Sequence, residues 1–442
     1  MSNKLNKLKM ISCPLPTTVL WLKNNYVVFY LVLFNLIACG TKPTESIHAS
    51  DTQTNPNREK IIYKHDPNKT EELRVREGLP NFFKKLQAGE DVKVGYIGGS
   101  ITNGGMWRDK SIDWLKREYP KANITQINAA IGGKGPDFGA CRIQEHLLVH
   151  NPDMVFIEFR VNNGGAFKGR ALEGMIPQIW KHNPNIEICL VYTIAKWMKE
   201  EIAAGNQTGA GRYMEPVANH YGITSIDFGP EVMKLLKEDK LVFQKGDAPA
   251  EGKILFSKDG VHPLEAGHDI YMDVLGRSLK AIENHGTSGP KTIPAALYEN
   301  PFSNAKLVPV NTAKFGDGWQ KAQLSDLDIN ADLTDKNGNF KPLFQEAMET
   351  VKEGATLTVE WEGILLGLTL TQAPASLIEV EVSTDGGPTE KLDIFSGIEK
   401  KGAKYDFLKE VPDGKHITTI KLVKFDPSLA FQIGQFLVVK KS

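Results

Sequence analysis

The feature that most constrains the fold is a regular alternation of strand-like and helix-like segments between about residues 72 and 285. Short apolar runs of the length of buried strands lie at residues 92–97, 124–128, 154–159, 186–192 and 224–227. Amphipathic stretches lie near residues 107–119, 137–150, 170–182 and 212–221, and a last helix is predicted from Pro263 to about Glu283. Because strands that alternate with helices favour a parallel sheet covered on both faces, this region is predicted to have an α/β fold.

Residues 92–102, VKVGYIGGSIT, are the stretch around which we expect the functional site to form. Gly98 and Gly99 let the backbone turn sharply after an apolar strand. Ser100 then lies at the carboxyl end of that strand, where open α/β sheets bind their ligands. A phosphate-binding loop is disfavoured, because neither G-x-G-x-x-G nor G-x-x-x-x-G-K-[ST] fits residues 95–105. A plain turn is the other alternative.

A second stretch, DGVHP at residues 259–263, supplies the partner that a serine nucleophile needs. A serine hydroxyl is a useful nucleophile only if a base takes its proton. Asp259 precedes His262 by three residues, so its carboxylate can hold one ring nitrogen while the other faces the serine. The pattern favours nucleophilic catalysis by Ser100.

These stretches together resemble the SGNH/GDSL hydrolase family. GGSIT stands where the family has its GDS-type block, NAAIGG at residues 128–133 is similar to its glycine block, and DGVHP matches its Asp-x-x-His block. Val161-Asn162-Asn163 resembles the Gly-x-Asn-Asp block with two departures: Arg160 precedes it, and Asn163 replaces the aspartate. The resemblance covers roughly residues 90–285.

The resemblance implies a three-layer, flavodoxin-like parallel sheet and a serine esterase mechanism. Ser100, Asp259 and His262 would be catalytic, and the oxyanion hole would consist of the Ser100 and Gly132 N–H groups and the Asn162 amide. If the five strands have the order 2-1-3-4-5, the loops that follow the first three meet at one edge of the sheet. No metal and no cofactor are implied.

Three residues near these motifs are candidates for substrate binding: Trp107, Arg160 and Asn163. Trp107 either lines the pocket or only opens a helix. Arg160 either pairs with Glu158, which strand alternation places on the same face, or recognises an acidic sugar. A zinc site at His146 and His150, four residues apart, is disfavoured because no third ligand has suggestive spacing.

The N-terminus has the pattern of an export signal. Residues 1–25 contain lysines and no acid, and residues 27–38 are apolar apart from Asn35, which is short for a membrane span. LIAC at residues 36–39 resembles a bacterial lipobox, which implies a signal peptide at 1–38, lipidation of Cys39 and an anchored location at the cell envelope. An ordinary secretory signal is the alternative. Residues 39–71 are predicted to form a solvated tether.

The charge balance argues against nucleic acid as a partner. The whole chain has 53 basic and 53 acidic residues, and removal of residues 1–38, with four lysines and no acid, leaves 49 and 53. The sequence shows no basic run interleaved with aromatic residues. Cys141 and Cys189 are expected to be small buried hydrophobes rather than a disulfide.

The pattern changes near residue 289, after the predicted hydrolase domain at 72–288. Short alternating runs at residues 356–361, 365–370, 377–383, 416–423 and 431–439 are separated by turns such as Asp385-Gly386-Gly387-Pro388. We therefore expect an antiparallel β-sandwich accessory domain at 289–442.

The family resemblance, together with the predicted export and the accessory domain, implies a lipid-anchored serine esterase whose expected substrate is an O-acetyl ester on carbohydrate. The alternatives are a lysophospholipase or thioesterase, for which residues 196–211 are the candidate apolar lid, and a glycan-binding protein without catalytic activity.

Overall fold

The computed structural model describes residues 65–162, 167–249, 251–299, 301–322, 346–372, 378–392, 402–426 and 430–441, which belong to one compact unit. The predicted signal peptide, Cys39, most of the tether and Asn163 lie outside the described residues. Within the described ranges, no helix combines the length and the apolar character that crossing a bilayer requires.

The first part of the chain alternates strands and helices. Its strands are β1 (Leu73–Arg74), β2 (Asp91–Gly98), β3 (Asn123–Asn128), β4 (Met154–Glu158), β5 (Glu187–Tyr192), β6 (Thr224–Asp227), β7 (Leu241–Gln244) and β8 (Ile254–Ser257). Its helices are α1 (Pro80–Ala88), α2 (Ser100–Asn103), α3 (Met106–Glu118), α4 (Pro136–His146), α5 (Lys168–His182), α6 (Lys199–Ala203), α7 (Gly211–Tyr221), α8 (Gly229–Lys237) and α9 (Glu265–Ile282). Short 3₁₀ turns lie at Leu148–His150 and Lys196–Met198.

The central sheet has the order β1-β6-β5-β4-β2-β3. Strands β2 to β6 are parallel, and β1 pairs antiparallel with β6 at the edge. The predicted five strands and their 2-1-3-4-5 order are therefore confirmed. As a result, the chain leaves β2, β3 and β4 at the same edge of the sheet.

Both faces of the sheet are covered, because alternate side chains of each strand enter different hydrophobic clusters. In β4, Val155 and Ile157 pack on the side of α4, α5 and α7, whereas Met154 and Phe156 pack on the side of α1, α3, α8 and α9. The predicted three-layer α/β architecture is confirmed. Cys141 and Cys189 are buried free thiols, as expected.

Some local expectations were wrong. The last helix begins at Glu265 rather than Pro263, because the Leu264 N–H still donates to the carbonyl of Phe256 in β8, at 2.7 Å. Helices α1 and α8 and the two-stranded β7–β8 sheet were not predicted from the pattern.

The second part of the chain is an antiparallel β-sandwich, as predicted. Its strands are β9 (Ala305–Val308), β10 (Lys314–Phe315), β11 (Trp319–Lys321), β12 (Met348–Thr350), β13 (Thr356–Gly363), β14 (Leu365–Gln372), β15 (Glu379–Thr384), β16 (Glu390–Lys391), β17 (Gly402–Phe407), β18 (Gly414–Lys424) and β19 (Phe431–Val439). One sheet has the order β10-β13-β18-β15-β16; the other has the order β11-β12-β19-β14-β17, with β9 also paired to β19. Short 3₁₀ turns lie at Phe302–Asn304 and Val310–Thr312.

The sheet that contains β19 has no solvated face at its centre. Phe436 and Val438 pack inside the sandwich, and the alternate residues Leu437 and Val439 enter the cluster that includes α4 and α5. Every residue of β19 is buried in consequence. The β-sandwich and the α/β part thus share one hydrophobic core.

Candidate active site

The GGS turn after β2 brings Ser100 to the carboxyl edge of the sheet. Ser100 begins the short helix α2, and its Oγ lies 2.7 Å from Nε2 of His262. The other ring nitrogen of His262, Nδ1, lies 2.7 Å from Oδ2 of Asp259. The three residues that the sequence predicted to be catalytic therefore form one continuous hydrogen-bonded chain.

The loop between β8 and α9 is organised around the Asp259 carboxylate. Its Oδ1 accepts the backbone N–H groups of Val261 and His262, at 2.8 and 2.9 Å, and the hydroxyl of Ser257 at 3.0 Å. Partial burial opposes ionisation, but the hydrogen bonds from the His262 side chain and the two N–H groups prevail and lower the pKa of Asp259. Asp259 is thus a carboxylate that holds the imidazole in a fixed orientation.

Asn162 follows β4 and lies directly against the GGS turn. A Cβ on residue 99 would be 1.8 Å from Oδ1 of Asn162 and 2.9 Å from its Nδ2. Glycine at position 99 is therefore needed for the amide to occupy this place. The contact brings Asn162 beside the turn that carries Ser100.

Gly132 lies in a turn after β3 that is tied to the end of β2. The Ile131 N–H is donated to the Gly98 carbonyl at 3.0 Å, and the Lys134 N–H to the Ile131 carbonyl at 3.4 Å. Gly133 has a φ of +68°, which glycine adopts at little cost. The structure therefore places the loops of Gly132 and Asn162 on the strands that flank β2.

A buried carboxylate accepts hydrogen bonds from the GGS turn and from the helix that follows it. The sequence analysis did not assign this residue to the site. Glu158, the last residue of β4, is 1% exposed and accepts hydroxyl hydrogen bonds from Thr102 at 2.8 Å and Thr193 at 2.7 Å. The Gly99 N–H also donates to it. Burial raises the pKa of Glu158, whereas these donors favour its charged form. The only signal in the sequence was an acidic residue at the end of an apolar strand.

The side chain of Arg160 is turned away from solvent, which favours its structural alternative over contact with an acidic sugar. It is fully buried, forms an ion pair with Asp227 at 2.6 Å, and donates to the carbonyls of Thr193 and Tyr192 at 2.6 and 3.2 Å. The expected pairing with Glu158 is replaced by the pair with Asp227, which ends the next strand but one. A buried charge needs such a partner and such acceptors.

Trp107 is also a core residue rather than a pocket wall. It has no exposed surface, and its indole contacts the rings of Tyr96, Phe156 and Phe228 with centroid distances of 5.5 to 6.0 Å. The sequence pattern near residues 107–119 predicted the helix correctly but not which of its residues faced the site. The third candidate, Asn163, lies outside the described residues.

The described residues contain no group of three or more His, Cys, Asp or Glu side chains arranged to hold a metal ion. What the site offers instead is an alcohol, an imidazole and a carboxylate in sequence, with an amide beside the alcohol. This arrangement can transfer the proton of Ser100 to His262 and turn the serine oxygen into a nucleophile.

Comparisons with known proteins bear on the fold. No protein-family model and no curated protein matches the sequence. The structure is similar to that of a two-domain esterase active on acetylated mannans, with 19% identity, a TM-score of 0.68, and coverage of 83% of this chain and 97% of that chain. The same esterase co-crystallized with mannopentaose matches with 19% identity, a TM-score of 0.66, and coverage of 81% and 93%.

An acetylxylan esterase from Geobacillus stearothermophilus, 19% identical with a TM-score of 0.34, covers 42% of this chain and 94% of its own. At these identities the likeness to the two-domain esterase shows the fold. This protein and the two-domain esterase share an architecture in which an α/β part with a parallel sheet is followed by an antiparallel β part.

The contact between Gly99 and Asn162 generates a prediction about the reactivity of Ser100. Gly99→Ala should slow covalent labelling of Ser100 by a fluorophosphonate by about a hundredfold if the Asn162 amide stabilises the developing negative charge, because the new Cβ displaces that amide from the turn that carries Ser100. The measurement is the labelling rate, followed by mass spectrometry of the intact protein.

Gly414→Ala is the matched control, since a Cβ there meets only the His416 ring at 3.7 Å or more. Labelling of the Gly99→Ala protein at the rate of the unchanged protein would contradict this role of the glycine.

Proposed function

We propose that this protein is a serine esterase of the SGNH/GDSL type that removes O-acetyl groups from carbohydrate. The observation that carries the proposal is the hydrogen-bonded chain from Ser100 Oγ through His262 to Asp259, with both distances at 2.7 Å. The shared architecture with a two-domain esterase active on acetylated mannans supports the same reaction.

The proposed reaction has two halves. Nε2 of His262 accepts the proton of Ser100 while the serine oxygen attacks the acetyl carbonyl, and the ionised Asp259 stabilises the imidazolium that forms. The tetrahedral oxyanion is stabilised by the N–H groups of Ser100 and Gly132 and by the Asn162 amide. His262 then gives its proton to the departing sugar hydroxyl, which leaves an acetyl group on Ser100. In the second half, His262 activates a water that attacks this acetyl-serine and releases acetate.

The exposure of the site favours a bulky, solvated substrate over a fatty acyl chain. The side chains of His262 and Asp259 are 49% and 54% exposed. In the segment considered as an apolar lid, the aliphatic side chains of Met198 and Ile202 pack in the core, since they are 1% and 4% exposed. Lys196 at its start is held by an ion pair with Asp247. The alternative of lipid or thioester hydrolysis required an apolar lid in this segment, and the buried Met198 and Ile202 side chains do not supply one.

An aromatic side chain beside the acid–base loop is a suitable surface for a sugar. Trp197 is 58% exposed and lies on the 3₁₀ turn that follows β5. The preceding Lys196 N–H donates to the Gly260 carbonyl at 2.7 Å, which attaches this turn to the loop of Asp259 and His262. Exposed aromatic surface next to a reactive centre is typical of ligand-binding clefts.

The catalytic roles predict the following losses. Ser100→Ala and His262→Ala should each lower kcat for a chromogenic acetate ester by about 10⁴-fold or more, and the double variant should be little worse, because the residues act as a unit. Unchanged melting temperatures serve as the control for folding. Near-normal turnover of Ser100→Ala would end the serine mechanism, and an unchanged protein inactive on every acetate ester would favour a glycan-binding protein without catalysis.

If Trp197 binds sugar, its replacement should affect polymeric substrates and not small ones. Trp197→Ala should raise KM for acetylated polysaccharide by roughly three- to tenfold, the value of a lost aromatic contact, and leave the chromogenic ester unaffected. Trp197→Tyr keeps a ring and should restore most of the difference. Acetate released from a panel of acetylated polysaccharides is the measurement; equal KM values for all three proteins would remove Trp197 from the binding site.

We further propose that the protein is exported and anchored to the cell envelope through lipid on Cys39, on the strength of the LIAC motif at residues 36–39, where the apolar segment 27–38 ends. Cys39→Ser should leave the protein unprocessed or released from the membrane fraction. Mass spectrometry of the mature N-terminus is the measurement, and an unlipidated N-terminus at another residue would exclude the anchor.

A further inference from the structure

The edge strand β17 of the β-sandwich packs against the α/β part through two aromatic side chains. Tyr405 and Phe407 are two residues apart and therefore share a face of the strand. Both pack against the hydrophobic cluster that contains α4 and α5. These two helices begin shortly after Gly132 and Asn162, the residues to which we assigned the oxyanion donors.

Tyr405 holds the start of α4 by three contacts. Its hydroxyl donates to Oδ1 of Asp137 at 2.7 Å and accepts the Gly135 N–H at 3.1 Å. Its ring stacks on that of Phe138, with centroids 4.7 Å apart and planes inclined by 15°. Asp137 is 4% exposed, so the hydroxyl satisfies a carboxylate that burial would otherwise penalise. These contacts begin three residues after Gly132.

Phe407 contacts Phe167, the residue that immediately precedes α5. Its ring meets that of Phe167 at 5.2 Å with an interplanar angle of 73°, an edge-to-face contact. Phe167 is five residues after Asn162 and immediately precedes α5. Phe302, from the 3₁₀ turn before β9, completes the cluster at 5.3 Å from Phe167 and 5.8 Å from Phe407.

We propose that the β-sandwich is a structural part of the active site, in which β17 holds in position the turn of Gly132 and the start of α5, five residues after Asn162, and Tyr405 is the positioning residue for Gly132. Neither donor lies within a helix or strand, so their aim depends on what fixes the ends of their loops. Donors stabilise an oxyanion only if they are oriented before the reaction, because reorientation would consume the stabilisation they provide. This inference rests on the proposed esterase function.

The experiment compares Tyr405→Phe with the unchanged full-length protein. The substitution removes both hydroxyl hydrogen bonds and leaves the ring stack. We expect kcat on a chromogenic acetate ester to fall by about tenfold to a hundredfold, less than the loss of a whole donor would cause, with KM changed by no more than about twofold. The rate of fluorophosphonate labelling of Ser100 should fall in parallel, while the pH profile stays the same because the Asp259–His262 contact is untouched.

Tyr119→Phe is the matched control. Its hydroxyl bonds Glu283 at 2.7 Å, and Tyr119 follows the end of α3 that is remote from Ser100. This variant should keep its kcat. Combination of Tyr405→Phe with Asn162→Ala tests the mechanism further, since two residues that act on one oxyanion should show a non-additive loss.

The outcomes separate this inference from the proposed function. Suppose that the unchanged protein is active and that Tyr405→Phe has a lowered melting temperature but full kcat when it is assayed well below that temperature. Tyr405 would then only stabilise the fold, and the inference alone would be overturned. An unchanged protein without esterase activity would instead overturn the proposed function. If Tyr405→Phe does not fold, Phe407→Leu tests the Asn162 side of the same strand: a fall in kcat supports the inference, and an unaltered kcat contradicts it.

Discussion

The interaction on which the site depends most is the set of hydrogen bonds received by the buried Glu158 carboxylate. Its donors are the Gly99 N–H and the hydroxyls of Thr102 and Thr193. These groups follow β2 and β5, the two strands that flank β4, so one side chain ties together the ends of three neighbouring strands. A buried carboxylate is tolerable only when its acceptor capacity is used, and here that requirement fixes the turn that presents Ser100. The same requirement explains why Arg160, two residues later, reaches Asp227, the last residue of β6, rather than solvent.

The parallel direction of the strands brings the loops with the candidate site residues together at one edge of the sheet. Because β3, β2 and β4 are neighbours and run in one direction, the loops that begin with Gly132, Ser100 and Asn162 leave the sheet side by side. His262 reaches the same edge from a loop that is anchored to the chain after β5 through the Gly260 carbonyl. The site therefore combines the ends of rigid strands with an exposed loop that carries Asp259 and His262.

The shared core changes what the C-terminal part of the chain can be. Leu437 and Val439 of β19 pack on the α/β side, and Phe436 and Val438 pack inside the sandwich, so the sheet is apolar on both faces. A module of this kind cannot be separated without exposing a large apolar surface to water, at a cost of roughly 25 cal/mol for each Å². Its attachment places Tyr405 in contact with the first residues of α4 and Phe407 in contact with Phe167, which precedes α5. The C-terminal part of the chain is thus better described as an integral part of the α/β structure than as a tethered module.

The sequence by itself determined the positions of the strands β2 to β6, the antiparallel character of the C-terminal part and the choice of Ser100, Asp259 and His262 as the candidate catalytic residues, whereas the order of the strands was decided by the tertiary structure. Each feature that the sequence determined follows from local pattern: apolar runs of strand length, glycine where the backbone turns, and an aspartate three residues before a histidine. Only the tertiary structure decided the roles of Trp107, Arg160, Glu158 and Tyr405. The partners of these residues are distant along the chain, as with Arg160 and Asp227 or Tyr405 and Asp137, and the burial of a polar or aromatic side chain is a property of the packed core rather than of its sequence neighbours.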